Sequence, residues 1–250
     1  MNDTRDIEVV SYLQITKSQL LTSITVFIFT WSLALGLWYF KDLDKNILFV
    51  LNNANFNNTI TIFSQLISRY GMALITCVNL ILLLYTFKDE KMKALRPVFL
   101  LTILSFGVAG ISGDILKQVF NRPRPIMTYT GELNFRTSSN SPAFPSGHAT
   151  KSVALAVPLS FNNISNNRLT KVSKIIVMST AVLVCISRIV LGAHYLSDVL
   201  AGAGLSVLCF PVSVILTNRI LSRMSPERYE LASRIWIIVY IALIFFVATI

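Results

Sequence analysis

Between Leu20 and Phe40 lie 21 consecutive residues without a charged side chain. As an α-helix, about 20 such residues cross the ~30 Å hydrocarbon core of a bilayer. Predominantly apolar runs recur at Tyr70–Phe87, Pro97–Leu116, Ser146–Phe161, Ile175–Leu191, His194–Leu216 and Ile235–Ile250, with at most one Asp, Glu, Lys or Arg in each. Composition agrees: charged residues make up 14% of the 250, against roughly 25% in soluble domains, and the mean hydropathy is +0.63. The expectation is an all-α, polytopic transmembrane helix bundle forming one domain over residues 1–250. The lead Met1–Gln19 is too polar for a cleaved signal peptide, so the first run is expected to remain as a span.

A net charge of +10 would point to nucleic acid in a soluble protein. In a membrane protein, basic connections on one side and anionic phosphate ligands explain it better. The expected partners are therefore the bilayer and a phosphate-bearing molecule, and no nucleic acid. Cys77, Cys185 and Cys209 fall inside apolar runs without metal-binding spacing and read as small buried hydrophobes.

The connections divide unevenly. Lys41–Arg69 is half polar, and Asn52, Asn53, Asn55, Asn57 and Asn58 are expected to break it into short amphipathic pieces. Gln118–Pro145 is the longest polar stretch, and its Met127–Ser141 part is a candidate lid. Counted by side, 13 Lys and Arg residues lie on the face shared with the amino terminus and eight on the other, with Lys151 inside the fourth run. The amino terminus is thus expected in the cytoplasm and the opposite face outside.

On that outer face three polar segments meet. Lys117, Arg122 and Arg124, with Pro123 and Pro125, close the third run. Prolines stiffen the turn, and an arginine fork suits phosphate oxygens. Asp114, one turn earlier, is expected to pair with Lys117 or with the surroundings of the third helix. Pro145-Ser146-Gly147-His148 opens the fourth run, where free N–H groups and a helix dipole favour an anion. Ser187-Arg188 closes the fifth, and His194 with Asp198 opens the sixth. At a spacing of four, one helix face is expected to carry both, and the aspartate can accept Nδ1–H of the imidazole and leave Nε2 free as base or nucleophile. His148 and His194 are the only histidines, and span parity sets both on one membrane face.

In order and spacing, K-x6-R-P, P-S-G-H and S-R-x5-H-x3-D, these segments resemble the signature of the type 2 phosphatidic acid phosphatase superfamily. The resemblance implies a six-helix phosphatase core, here within residues 95–218, to which Ile235–Ile250 would add a seventh, carboxyl-terminal span. It also implies a lipid phosphate or pyrophosphate phosphatase needing no metal or other cofactor. His194 would be the nucleophile, Asp198 its orienting partner, and His148 the acid and then base. Lys117, Arg124, Ser146, Gly147 and Arg188 would hold the phosphoryl group. Arg122 and Arg136 lie outside the required pattern and read as interfacial or solvated charges ahead of substrate contacts. A phosphotransferase sharing the phosphohistidine and a non-catalytic transporter or binder of anionic lipid remain open.

Overall fold

The computed structural model describes residues 13–53, 58–133, 141–165 and 167–249. Arg136, much of the candidate lid and residues 1–12 of the lead lie outside them. Helix α1 (Lys17–Tyr39) starts at a capping box in which Thr16 and Gln19 satisfy each other's backbone N–H groups. Next come α2 (Lys41–Asn53), α3 (Asn58–Tyr85), a 3₁₀ turn (Glu90–Leu95) and α4 (Arg96–Phe120). The chain continues through the single turn α5 (Pro125–Thr128), then α6 (Gly147–Phe161), α7 (Arg168–Val190), α8 (Leu196–Leu221) and α9 (Pro226–Thr249). Six of these, α1, α3, α4, α7, α8 and α9, are long and apolar enough to cross a membrane. The carboxyl-terminal helix is thus a full-length candidate span.

The short fourth run differs from the rest. At 15 residues, α6 reaches only ~22 Å. Nearly every residue from Ala149 to Leu159 is buried, so it forms the centre around which the longer helices pack. Outward-facing Ile111, Ile115, Val119, Ile175, Ile238 and Phe245 are exposed, as expected of side chains whose solvent is lipid. Close helix approach relies on small residues. A Cβ on Gly204 of α8 would lie 2.0 Å from Thr30 Oγ1 of α1, and one on Gly71 of α3 would lie 2.4 Å from Val184 of α7.

Among the described residues the Lys41–Arg69 connection holds one short amphipathic piece, ending in the Asn cluster, and the first turns of a long helix. Lys41–Asn53 is one amphipathic helix that buries Asp44, Leu48 and Asn52, four residues apart, on a single stripe. The next helix starts at Asn58, twelve residues before the expected Tyr70. Its polar residues Thr61, Ser64 and Ser68 are buried on one face, so polarity there marks packing and not a loop. At the opposite end of the bundle, the Arg96 guanidinium meets Glu230 at 2.5 Å, donates to Thr86 and stacks over Phe87 at 4.0 Å. Tyr240 donates to the Phe99 carbonyl at 3.1 Å, which fastens α9 to α4.

Candidate active site

The starts of α6 and α8 are stitched together. Ser146 N–H donates to the Asp198 carbonyl at 2.9 Å. A Cβ on Gly202 would fall 2.6 Å from the Ser146 carbonyl oxygen and 2.8 Å from Thr150 Oγ1, so only glycine allows this approach. Ser146 occupies the N-cap position, but its hydroxyl makes no cap bond to the helix. His194 is not on the face of a helix, as its spacing with Asp198 had implied. It lies in the turn before α8, shaped by Gly192 at φ +69° and by bonds from the Ala193 and His194 N–H groups to the Arg188 carbonyl. The turn still brings His194 Nδ1 to 3.4 Å from Asp198 Oδ2.

Asp198 is fully buried, and its partners set its direction. Oδ2 accepts from Tyr195 N–H at 3.0 Å, and Oδ1 accepts from Arg122 Nη1 at 2.6 Å. The same guanidinium donates to Ser197 Oγ at 2.6 Å and, through Nη2, to Asp44 Oδ2 at 3.0 Å. Asp44, on the buried stripe of α2, also accepts from Ser197 N–H and Oγ–H. Arg122 lies between Trp38 and Tyr195, 4.9 and 4.0 Å from the ring centroids. It is therefore no interfacial charge: two buried carboxylates share it. The sequence signal for Asp44 was its place in the 44, 48, 52 stripe. Nothing local marked Arg122 as its partner.

The expected phosphate-binding residues converge on the same place. Lys117, in the last turn of α4, packs over Gly147: a Cβ there would be 3.6 Å from its Cε and 3.7 Å from Nζ. Lys117 Nζ donates to the Pro142 carbonyl at 3.1 Å, whereas Asp114, its expected partner, is exposed on α4. Arg124 donates to the carbonyl and hydroxyl oxygens of Ser141 at 2.7 and 2.8 Å. Arg188 donates to Ser68 Oγ of α3. Five buried polar side-chain atoms lack a hydrogen-bond partner among the described residues, and three of them are Arg124 Nη1, Arg188 Nε and Ser146 Oγ. Buried donors left unpaired are costly. A tetrahedral oxyanion would satisfy such a set.

His194 is 1% exposed. Burial, followed by the fields of Arg124, Arg188 and Lys117, holds its pKa well below the ordinary 6.5. Its imidazole is therefore neutral at physiological pH, the state a nucleophile requires. His148 is half-buried at the first turn of α6, within electrostatic reach of Arg188 and His194.

Residues 97–222 match the model of the PAP2 superfamily. Phosphatidylglycerophosphatase B of Bacillus subtilis (strain 168) is 31% identical over 115 residues, 44% of this chain and 54% of that protein. The chain thus spans about half the length of that curated relative. In fold it is similar to the crystal structure described as the first transmembrane PAP2 type phosphatidylglycerolphosphate phosphatase from Bacillus subtilis. That likeness has a TM-score of 0.60 at 24% identity, covering 79% of this chain and 96% of the other. With a family match over half its length, across the stretch that carries the two histidines and the three cations, the chain belongs to the PAP2 superfamily.

Proposed function

We propose that this protein is a membrane phosphatase that removes phosphate from a lipid phosphomonoester or pyrophosphate through a phosphohistidine on His194. The observation that carries the reading is the trio of buried, unpartnered donor atoms on Arg124, Arg188 and Ser146 beside a buried, neutral His194. Phosphoryl transfer needs positioning and neutralisation of the equatorial oxygens. Lys117, Arg124 and Arg188 supply the positive charge, and the Gly147 N–H at the start of α6 adds a dipole end.

In the first step Nε2 of His194 bonds to phosphorus while its Nδ1–H donates to Asp198. The bond to the leaving oxygen breaks, and His148, which takes up its proton only once the anionic substrate is bound, delivers that proton to the leaving oxygen. In the second step His148 takes a proton from water, whose oxygen attacks phosphorus. The P–N bond breaks, phosphate leaves, and His194 is neutral again. Arg122, held by Asp44, keeps Asp198 aimed at Nδ1. The relative's name puts phosphatidylglycerophosphate first among the substrates to try, ahead of polyprenyl pyrophosphate, phosphatidate and lipid A. The bias of Lys and Arg supports a site facing outward, or toward the periplasm of a bacterial inner membrane.

Two experiments test this. Purified protein in detergent should release phosphate from at least one of these lipids, and His194→Ala should release none. Near-wild-type release by His194→Ala overturns the mechanism. For orientation, Glu132→Cys and Glu90→Cys on a background lacking Cys77, Cys185 and Cys209 report the two faces. Glu132→Cys should react with an impermeant maleimide in intact cells, and Glu90→Cys only after the membrane is opened. The reverse pattern overturns the outward-facing site.

A further inference from the structure

Lys151 is a charged residue that the mechanism above does not use. It lies three residues after His148 on α6, and so on nearly the same side of that helix. It is half-buried, and its stem lies against Gly110 of α4, where a Cβ would meet Lys151 Cε at 3.5 Å. Among the described residues its ammonium makes no hydrogen bond or ion pair, although its field reaches His148 and Lys117. A lysine within a membrane-embedded helix bundle is costly and marks a functional position by default.

Its place relative to the chemistry indicates what it meets. The phosphoryl group to be transferred already has three cations. The leaving oxygen faces His148, and from that oxygen the rest of the lipid runs back into the bilayer. Helix α6 runs the same way, and the Cα of Lys151 lies ~4.5 Å further along its axis than that of His148. We propose that Lys151 binds a second phosphate carried on the leaving group, so that the preferred substrates are lipids with two phosphorus centres. The second centre is either the phosphodiester of a phosphatidylglycerophosphate or the inner phosphate of a polyprenyl pyrophosphate. Phosphatidate, whose leaving group departs as neutral diacylglycerol, offers Lys151 nothing. This inference rests on the lipid phosphatase reading. A lysine that merely reaches for the headgroups would not discriminate between substrates.

The test compares kcat/KM for phosphatidylglycerophosphate, a polyprenyl pyrophosphate and phosphatidate in mixed micelles, using the full chain and Lys151→Gln, Lys151→Met and Lys151→Arg. Wild type should prefer one or both two-phosphate lipids. Lys151→Gln should lose roughly tenfold to a hundredfold on the preferred lipid, the worth of a charge-assisted hydrogen bond. Phosphatidate turnover should stay within about twofold, and Lys151→Arg should restore most of the loss. Which of the two lipids responds identifies the second phosphate. An equal loss on every substrate would place Lys151 in the general field of His148 and overturn the proposal, as would an unchanged ratio. Should the variants fail to fold, a wild type that hydrolyses phosphatidate as well as the two-phosphate lipids overturns it alone. Release from no lipid at all is a different result: it defeats the phosphatase reading on which the proposal stands.

Discussion

Arg122→Gln is the perturbation with the most calculable outcome. Arg122 bridges Asp198 Oδ1 at 2.6 Å and Asp44 Oδ2 at 3.0 Å, with 7% of its side chain exposed and at most 1% of either partner's. Removing one member of a buried ion pair costs about 3–5 kcal/mol, because the other member is left charged and unpaired. Here two carboxylates are stranded. Each keeps some support: Asp44 retains the Ser197 N–H and Oγ–H, and Asp198 retains the Tyr195 N–H. The lower end of the range, about 3 kcal/mol, is therefore expected. For a chain of this size that lowers Tm by at least roughly 6 °C. Activity should fall further than folding does. Asp198, untied from Arg122, no longer holds the His194 ring in line, and a misplacement of this kind costs on the order of 10²-fold in kcat. Asp44→Asn should produce a milder version of both effects, and the double variant should be less than additive. Thermal unfolding and phosphate release in the same detergent measure the two effects on one sample. Arg122→Gln with wild-type Tm and kcat would refute the bridge. Lost stability with full kcat per folded molecule would reduce Arg122 to a packing role.

Four other outcomes follow from the geometry. Asp198→Asn should stay folded and lose 10²–10⁴-fold in rate, on the order expected when a histidine loses its orienting carboxylate; a loss under tenfold speaks against the dyad. Gly202→Ala drives a methyl group into the Ser146 carbonyl, so both Tm and phosphate release should drop, while Gly36→Ala, in open space, should change neither. His194 has a folded-state pKa depressed below 6.5, so its contribution to stability is complete above pH ~6.5 and is lost as pH falls from there toward the folded value. Between pH 7.5 and pH 5 the Tm of wild type should therefore fall more than that of His194→Gln, and equal falls contradict the buried neutral imidazole. Excess EDTA should leave turnover intact, because the neutralising charges are Lys117, Arg124 and Arg188; activity lost to chelator and restored by Mg²⁺ would contradict that assignment.

Much of this was legible in the sequence, for identifiable reasons. A bilayer imposes length and apolarity on its spans, so α1, α4 and α6 lie within four residues of their expected places, whereas α7 starts seven residues early and α8 ends five residues late. The motif residues could be grouped because each sits near the end of a span, and span parity forces such ends onto one face. What escaped notice was polar and distant. Thr61, Ser64 and Ser68 read as part of a half-polar connection, yet they line the buried face of α3, where Ser68 receives Arg188. Asp44 and Arg122 are 78 positions apart, and no local periodicity links them. Only the docking of α2 brings them together. Arg122 also lies beside Arg124 in a segment where surface cations are common, and its burial between Trp38 and Tyr195 is a tertiary fact.

The central claim is that His194 carries the phosphoryl group. Purified protein mixed with a ³²P-labelled lipid substrate and quenched in alkali within the first turnovers should retain label that is stable to base and released by acid. Peptide mapping should place it on His194, His148→Ala should accumulate it because water is no longer activated, and His194→Ala should never acquire it. Label on another residue, or wild-type turnover in His194→Ala, would contradict the account.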